Sequence, residues 1–578
     1  MERNALLAVV ISLLILVLWN EFVIKQYSPR VEPGHEIAAG PGAAAPPGAT
    51  ASGTDSRTDS RAVGGADATS DVAAPPQPPA APEAPTVAKS ESEPVVDRPV
   101  GSEVVVQTDL FRAVFTTAGA RLQSLQLNKY RERVGVDSPL QELVHPAPGA
   151  PLPLAVHLRG KTETSDDSGV LYEVDRRSLN LVGGESGSIS FTGRLDGARI
   201  TKRFALVGNS YLWSMDVELD GAPDYVSEVA VPWDGLLGKA GGRRSGVIPT
   251  ANPFNDIAVL EADELIHESR DKLATGVSFD DATTWIGFSG QYFFAGLITE
   301  NEEVAETTHA WASAVGDSGE AMLRIGGQPA HTSVVLYTGP KDIDELDAAG
   351  HSLRRALDLG WFTIVALPML QALRYMHVVS GNYGIDIIVL TIFIKLLFYP
   401  LTKKSFQSMK GMQKLQPRME RLKENYKDKP DELNKAMMEL YRSEGVNPLG
   451  GCLPMFLQMP VFIGLYNALL SAVELRHAPF AFWIQDLAAP DRLGSVQLPF
   501  VHGAGFPVLT IIMGVSMLVQ QRMTPSTSAD PMQQRMMMLM PVVFTFMFIN
   551  FPAGLTLYWL ANNLLTIGQQ YMINRQED

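Results

Sequence analysis

The stretch "GIDIIVLTIFIKLLFYPLT" (384–402) decides the architecture. It reads as an apolar run from Ile385 to Leu401 with Lys395 set inside it, long enough for a membrane-spanning helix. A lysine near the centre of such a helix costs roughly 2.5–3.5 kcal/mol, and charges kept there usually serve function. A second reading is that Lys395 snorkels. It precedes Leu401 by six residues, about 9 Å at the helical rise, and a four-carbon stem covers much of that distance. On this stretch alone both readings stand.

The 578 residues divide sharply by charge. Residues 361–578 carry 18 Lys+Arg against 14 Asp+Glu, whereas residues 1–360 carry 29 against 49. The apolar runs cluster in the second part. This asymmetry predicts an acidic, water-exposed domain joined to a membrane domain with basic loops. A single cysteine, Cys452, excludes a disulfide within the chain and leaves the compartment open.

"ALLAVVISLLILVLW" (5–19) is signal-like, but the nearest small-residue cleavage pattern lies far downstream, so it is expected to remain as an anchor. Residues 28–99, rich in Pro, Ala, Gly and Ser, cannot bury enough apolar surface to fold and read as a tether. Residues 103–340 alternate polar and apolar positions between turn signals. "SISFTGRL", "ARITKRFAL", "SYLWSMDVEL" and "QYFFAGLIT" predict strands of a large β-sandwich, closed by a short helix or two after Pro340. His267, His309 and His331 are scattered, "HESRD" lacks a second histidine, and "GLLGKAGG" misses phosphate-loop spacing, so no catalytic or metal site is expected there. "WFTIVALPMLQALRYMHVV" (361–379), interrupted by Pro368, reads as an interfacial helix. Five candidate spans follow at 384–401, 451–472, 505–521, 536–550 and 554–573, six with the anchor.

Residues 403–444 hold eleven Lys+Arg, against only Arg476 and Arg492 in 473–505. The basic loop is therefore expected in the cytoplasm, with both termini, and the acidic domain outside. The division predicted is an anchor at 1–27, a linker at 28–99, a sandwich at 100–358, an interfacial helix at 359–383, a five-helix core at 384–573 with a helical hairpin at 403–446, and a tail at 574–578.

Polar residues recur inside the spans: Thr391 and Lys395; Gln458, Asn467 and Ser471; Ser516, Gln520 and Gln521; Asn562, Asn563, Thr566, Gln569 and Gln570. Helix–helix hydrogen bonds explain part of the set, and a polar cavity facing Lys395 explains the rest. Thr391 and Lys395 share a helix face at i, i+4, and no intramembrane carboxylate is expected to neutralise the lysine. In the hairpin, Lys403, Lys404, Lys410 and Lys414 beside Met409 and Met412 suggest a basic surface with exposed methionine, suited to ribosomes, lipid headgroups or apolar segments.

"VNPLGGCLPMFLQMPVFIGLY" (446–466), "ELRHAPFAFWIQDL" (474–487), "DPMQQRMMMLMPVVFTFMF" (530–548) and "FPAGLTLYWLANNLLTIGQQ" (551–570) closely resemble the bacterial YidC branch of the Oxa/Alb membrane insertases. "VQTDLFRAVFTTAGARLQSLQL" and "LYTGPKD" are similar to the periplasmic domain of its Gram-negative members, a β-supersandwich related to sugar-binding folds. The resemblance implies a multi-span inner-membrane protein that is not an enzyme, uses no cofactor or ATP, and inserts nascent membrane proteins through a hydrophilic groove, alone or with the Sec translocon. The groove's basic residue, usually arginine, falls at Lys395, and its threonine at Thr391. The last-span aromatic pair falls at Tyr558 and Trp559, and substrate contacts at Met459 and Phe462; Gln458, Ser516, Gln520 and Asn562 complete the expected lining. Partners implied are nascent chains, the lipid bilayer, the Sec translocon, and a ribosome or signal-recognition receptor at the cytoplasmic loops; nucleic acid is not contacted directly. A membrane chaperone without insertion activity remains an alternative. A solute transporter ranks behind it, since no inverted repeat appears.

Overall fold

The computed structural model describes residues 101–146, 149–237, 254–327, 330–360, 362–427, 429–446, 453–496, 505–523 and 531–576. The expected anchor, the linker and Cys452 lie outside them.

Residues 103–340 form three sheets. The largest has nine antiparallel strands, running from the edge Glu264–Ser269 through Phe254–Glu261, Thr283–Gly290, Phe293–Thr299, His331–Pro340, Leu212–Asp220, Ala198–Val207 and Ser186–Leu195 to Glu173–Val174. A six-stranded sheet contains Ser318–Gly326 and Glu228–Leu236, and ends at the edge pair His157–Arg159 and Thr164–Asp166. A five-stranded sheet contains Phe111–Thr116 and Arg121–Arg131. The alternation that predicts these strands is also what packs them: along Ala198–Val207, residues 198, 200, 202, 204 and 206 are buried while their neighbours are not. Phe204 meets Phe115 of the five-stranded sheet at a ring separation of 4.7 Å.

One inward position on that strand is a lysine. Lys202, fully buried, donates to Gly119 O and Leu154 O at 2.8 Å each and pairs with the equally buried Asp167. Gly119 lies in the turn before Arg121–Arg131, and Asp167 directly follows the edge strand of the six-stranded sheet. A single ammonium thus ties together the meeting point of all three sheets.

The short helix Ile343–Ala349 closes the sandwich. Seven longer helices follow among the described residues: α1 Thr363–Ser380, α2 Tyr383–Asn425, α3 Pro430–Ser443, α4 Leu453–Ser471, α5 Val508–Met523, α6 Pro531–Phe548 and α7 Ala553–Gln576. Gly381, in the left-handed region at φ 64°, ends α1. Asn382 then starts α2, its side chain accepting from Gly384 N at 2.9 Å and Ile385 N at 3.2 Å. Helices α1 and α4 pack together, α2 and α5 both pack on α7, and α6 lies against α5.

One proline expectation is corrected: Pro368 does not interrupt α1. Beyond the expected span at 384–401, α2 continues through Pro400 and Pro417 as one 43-residue helix reaching into the hairpin. Proline removes one backbone hydrogen bond and bends a helix, but need not end one whose other contacts persist. Among the described residues, α2 alone is long and apolar enough to cross a membrane; Val508–Met523 and Met536–Phe548 are shorter apolar stretches.

The sandwich and the helices meet at a polar seam. Gln291 donates to Leu470 O at 2.7 Å, and Asn467 to Leu359 O at 2.8 Å. Arg476, in the loop after α4, reaches Gln141 at 2.8 Å and lies 5.2 Å from the Phe293 ring centre. Arg374 of α1 pairs with Asp342 at 3.5 Å and Glu474 at 3.4 Å, and also with Asp344. Burial, reinforced by Asp342, pushes the Glu474 carboxyl up to about 7 despite Arg374.

Candidate functional site

Lys395 sits in the fourth turn of α2, half-buried, and its Nζ donates to Thr566 Oγ1 of α7 at 2.8 Å. Thr566 in turn donates to Asn562 O at 2.6 Å. Thr391, one turn earlier on α2, is 1% exposed and gives its hydroxyl to Ile387 O at 2.6 Å. It shares the lysine's face without offering a free donor to a cavity.

Helix α7 is the hub. Its Asn563 donates to Ser516 Oγ of α5 at 3.0 Å, and Ser516 passes its own proton to Met513 O at 2.6 Å. Gln458 of α4 donates to Tyr558 OH. Tyr558 precedes Thr566 by eight residues, so this bond lies about 12 Å from the lysine along α7. Trp559 and Phe462 belong to an aromatic cluster instead. They meet edge-on at 4.9 Å, and Trp559 lies 5.2 Å from Phe548 of α6. Met459 is 46% exposed beside them. Gln520 of α5 is half-buried, and Asn562 brings its backbone carbonyl to the lysine's acceptor.

The structure therefore joins Lys395 to Thr566 directly, and to Asn562 only through Thr566. Gln458–Tyr558 forms a separate bond nearer the start of α7, and Phe462–Trp559 forms an apolar wall. Three residues left out of the expected lining lie on α7 near Lys395 or one turn on. Thr566 holds the lysine. One turn on, Gln569 and Gln570 are 8% and 2% exposed; Gln569 Nε2 and Gln570 Oε1 have no protein partner among the described residues, although Gln570 Nε2 donates to Met523 O at 2.8 Å. Buried carboxamide atoms left this way require water or a ligand. The signal was present in the i, i+4, i+7 spacing of Asn562, Thr566 and Gln569.

Two further expectations are corrected. A carboxylate does lie in the first span-length helix: Asp386, 1% exposed, sits in the first turn of α2, 3.3 Å from His377 Nδ1 of α1. It is nine residues from Lys395, about 13 Å along the helix, and leaves the lysine unpaired by it. Met409 and Met412 are each only 8% exposed. Phe406 and Met409 pack against Ile573 of α7, so these side chains serve the hairpin's attachment instead of an open contact surface. Lys404 and Lys414 are exposed, and Lys403 and Lys410 are half-buried.

The loop after α4 covers the start of α2. A Cβ on Gly384 would come within 2.0 Å of the Phe480 ring, so only glycine lets the loop after α4 press onto the start of α2. Asn382 Nδ2 fastens that loop through Phe480 O at 2.9 Å.

Comparison with known proteins shows the family of the chain. Residues 103–372 match the family described as YidC periplasmic domain, and residues 375–578 match the 60Kd inner membrane protein family. The membrane protein insertase YidC of Pelobacter propionicus is 43% identical over 82% of this chain and 86% of its own length. That of Geotalea daltonii is 40% identical over 82% and 86%. A solved crystal structure of an active YidC insertase, with its first transmembrane domain resolved, is 18% identical, covers 82% of this chain and 95% of its own, and has a TM-score of 0.34. The chain is thus an inner-membrane protein with a periplasmic domain, and it belongs to the YidC family of membrane protein insertases.

Proposed function

We propose that this protein inserts nascent membrane proteins through a wet groove lined by α2, α4, α5 and α7, with Lys395 as its attracting charge. The observation that carries the reading is the ammonium of Lys395 held by Thr566 of α7, one turn before buried carboxamide atoms of Gln569 and Gln570 that have no partner among the described residues. Such groups in a bilayer need water, and water there shortens the polar crossing for a hydrophilic tail. Acidic tails are drawn by the lysine. Apolar segments then leave along the lipid-facing side of the helices, where Met459, Leu396 and Leu397 are exposed. Membrane potential adds about 2.3 kcal/mol per charge per 100 mV. In this reading α1 lies at the outer interface, the five spans 384–401 to 554–573 join an N-terminal anchor to make six, both termini are cytoplasmic, and the hairpin's exposed lysines meet the ribosome or targeting receptor. The protein acts alone or beside the Sec translocon, and the transfer makes and breaks no covalent bond.

The test is ATP-free insertion of a small single-span substrate with an acidic tail into proteoliposomes holding only this protein, scored by protease protection. At an effective dielectric constant of about 20, an ammonium and a carboxylate about 6 Å apart attract by about 3 kcal/mol. Lys395→Ala is therefore expected to slow insertion by up to about a hundredfold. Equal insertion by both proteins would remove the lysine from the mechanism, and no insertion by either would favour a chaperone that works only with the translocon.

A further inference from the structure

A lysine six residues from the end of an apolar run has a ready alternative to staying in the groove, because its stem reaches toward the headgroups. Lys395 does not take it. Its Nζ turns across to α7 and donates to Thr566 Oγ1 at 2.8 Å. The chemistry of that acceptor is one-sided. Thr566 has spent its only proton on Asn562 O at 2.6 Å, so its oxygen faces the lysine with lone pairs alone. A hydroxyl fixed in this way receives a cation and has nothing to offer a carboxylate. Thr566 is 7% exposed, so water does not readily replace it.

We propose that Thr566 is the positioning residue of the groove: it holds the ammonium of Lys395 at depth and prevents it from snorkelling. This rests on the groove reading above and adds to it. An ammonium carries three donors, and a single hydroxyl engages one, leaving the others to meet an incoming carboxylate. The specificity that follows is for acidic tails. A neutral tail gains nothing from a charge held at depth, so Thr566 should matter more to the acidic class of substrate than to the neutral one.

The experiment compares wild type, Lys395→Ala, Thr566→Val and Thr566→Ser in proteoliposomes, using two single-span substrates that differ only in an acidic or a neutral tail. Valine keeps the shape and removes the hydroxyl; serine keeps the hydroxyl. Thr566→Val is expected to lower insertion of the acidic substrate by about three- to tenfold, the range of a single interhelical hydrogen bond. Insertion of the neutral substrate should fall by a clearly smaller factor, and Thr566→Ser should stay near wild type. In parallel, a water-soluble amine reagent added from the hairpin side, with labelling of the Lys395 peptide read by mass spectrometry, should modify Lys395 faster in Thr566→Val than in wild type or Thr566→Ser. Equal loss for both substrates would make Thr566 a packing residue and overturn the proposal. Wild-type insertion and labelling by Thr566→Val, with Lys395→Ala still defective, would overturn it while sparing the groove. Wild-type insertion by Lys395→Ala would overturn the groove charge and this proposal together.

Discussion

Replacing Lys202 by methionine would remove the ammonium that joins the three sheets while keeping most of the side-chain volume. The carboxylate of Asp167 would then remain fully buried, with Tyr172 OH at 2.9 Å, Val156 N at 3.0 Å and Arg121 at 3.7 Å as its remaining partners. Breaking a buried pair from one side costs about 3–5 kcal/mol. The surviving contacts of Asp167 argue for the lower half of that range, whereas the two carbonyls that lose their donor argue for the upper half, so we expect about 4 kcal/mol. Over a domain of about 270 residues, an unfolding entropy of about 2.1 cal/mol/K per residue turns this into a midpoint about 7 °C lower. The full-length protein in detergent, followed by fluorescence of the buried Trp213, Trp233 and Trp285, would report it. Adding Asp167→Asn to Lys202→Met removes the stranded charge and should recover at least half of the loss. A single variant melting within about 2 °C of wild type, or a double variant no better than the single, would refute the assignment of the cost to an uncompensated charge.

Two other outcomes follow from the same domain. Burial, with Glu320 opposite it adding and Arg121 opposing, pushes the Asp234 carboxyl up to about 8. Its folded value exceeds the unfolded value of about 4, so its stabilising contribution is complete below that value and is lost as pH rises through about 8, at up to about 1.4 kcal/mol per unit. Asp234→Asn should flatten the fall in stability between pH 4 and 8 and raise the midpoint at pH 8; an unchanged slope would show that another group titrates there. Arg476→Met should loosen the seam by about 2–3 kcal/mol, since it removes the hydrogen bonds to Gln141 and Glu132 O and the cation over Phe293. Limited proteolysis near residue 360 would then accelerate, and an unaltered cleavage rate would count against the clamp.

The strands of the sandwich were legible because burial on one face writes itself into a two-residue alternation, as along Ala198–Val207. The same alternation contains the signal for Lys202, a charge in phase with Ile200 and Phe204. Lys395 was conspicuous because an apolar background makes one charge stand out. Its acceptor was not, because Thr566 lies 171 residues away and nothing local specifies which helix faces which. Spacing placed Asn562, Thr566 and Gln569 on a shared face but could not tell that this face turns toward α2. Pro368 shows the opposite case: proline's local preference to break a helix is outweighed when the turns on both sides are held by other contacts. Met409 and Met412 looked exposed beside a run of lysines, yet the C-terminal part of α7 reaches far enough to cover Met409.

The unbroken α2 has a mechanical consequence. At 1.5 Å per residue its 43 residues make a rod about 64 Å long. Lys395 is the thirteenth, so about 45 Å of rod extends beyond it into the hairpin. A push that tilts the distal end by about 8 Å would turn the rod by only about 10° at the lysine. Pro400 and Pro417 mark where such a rod yields first, one just past the groove and one near the hairpin. A load on α3 would thus work a long arm against a short one, converting a broad, weak displacement into a small, firm rotation of the ammonium against Thr566.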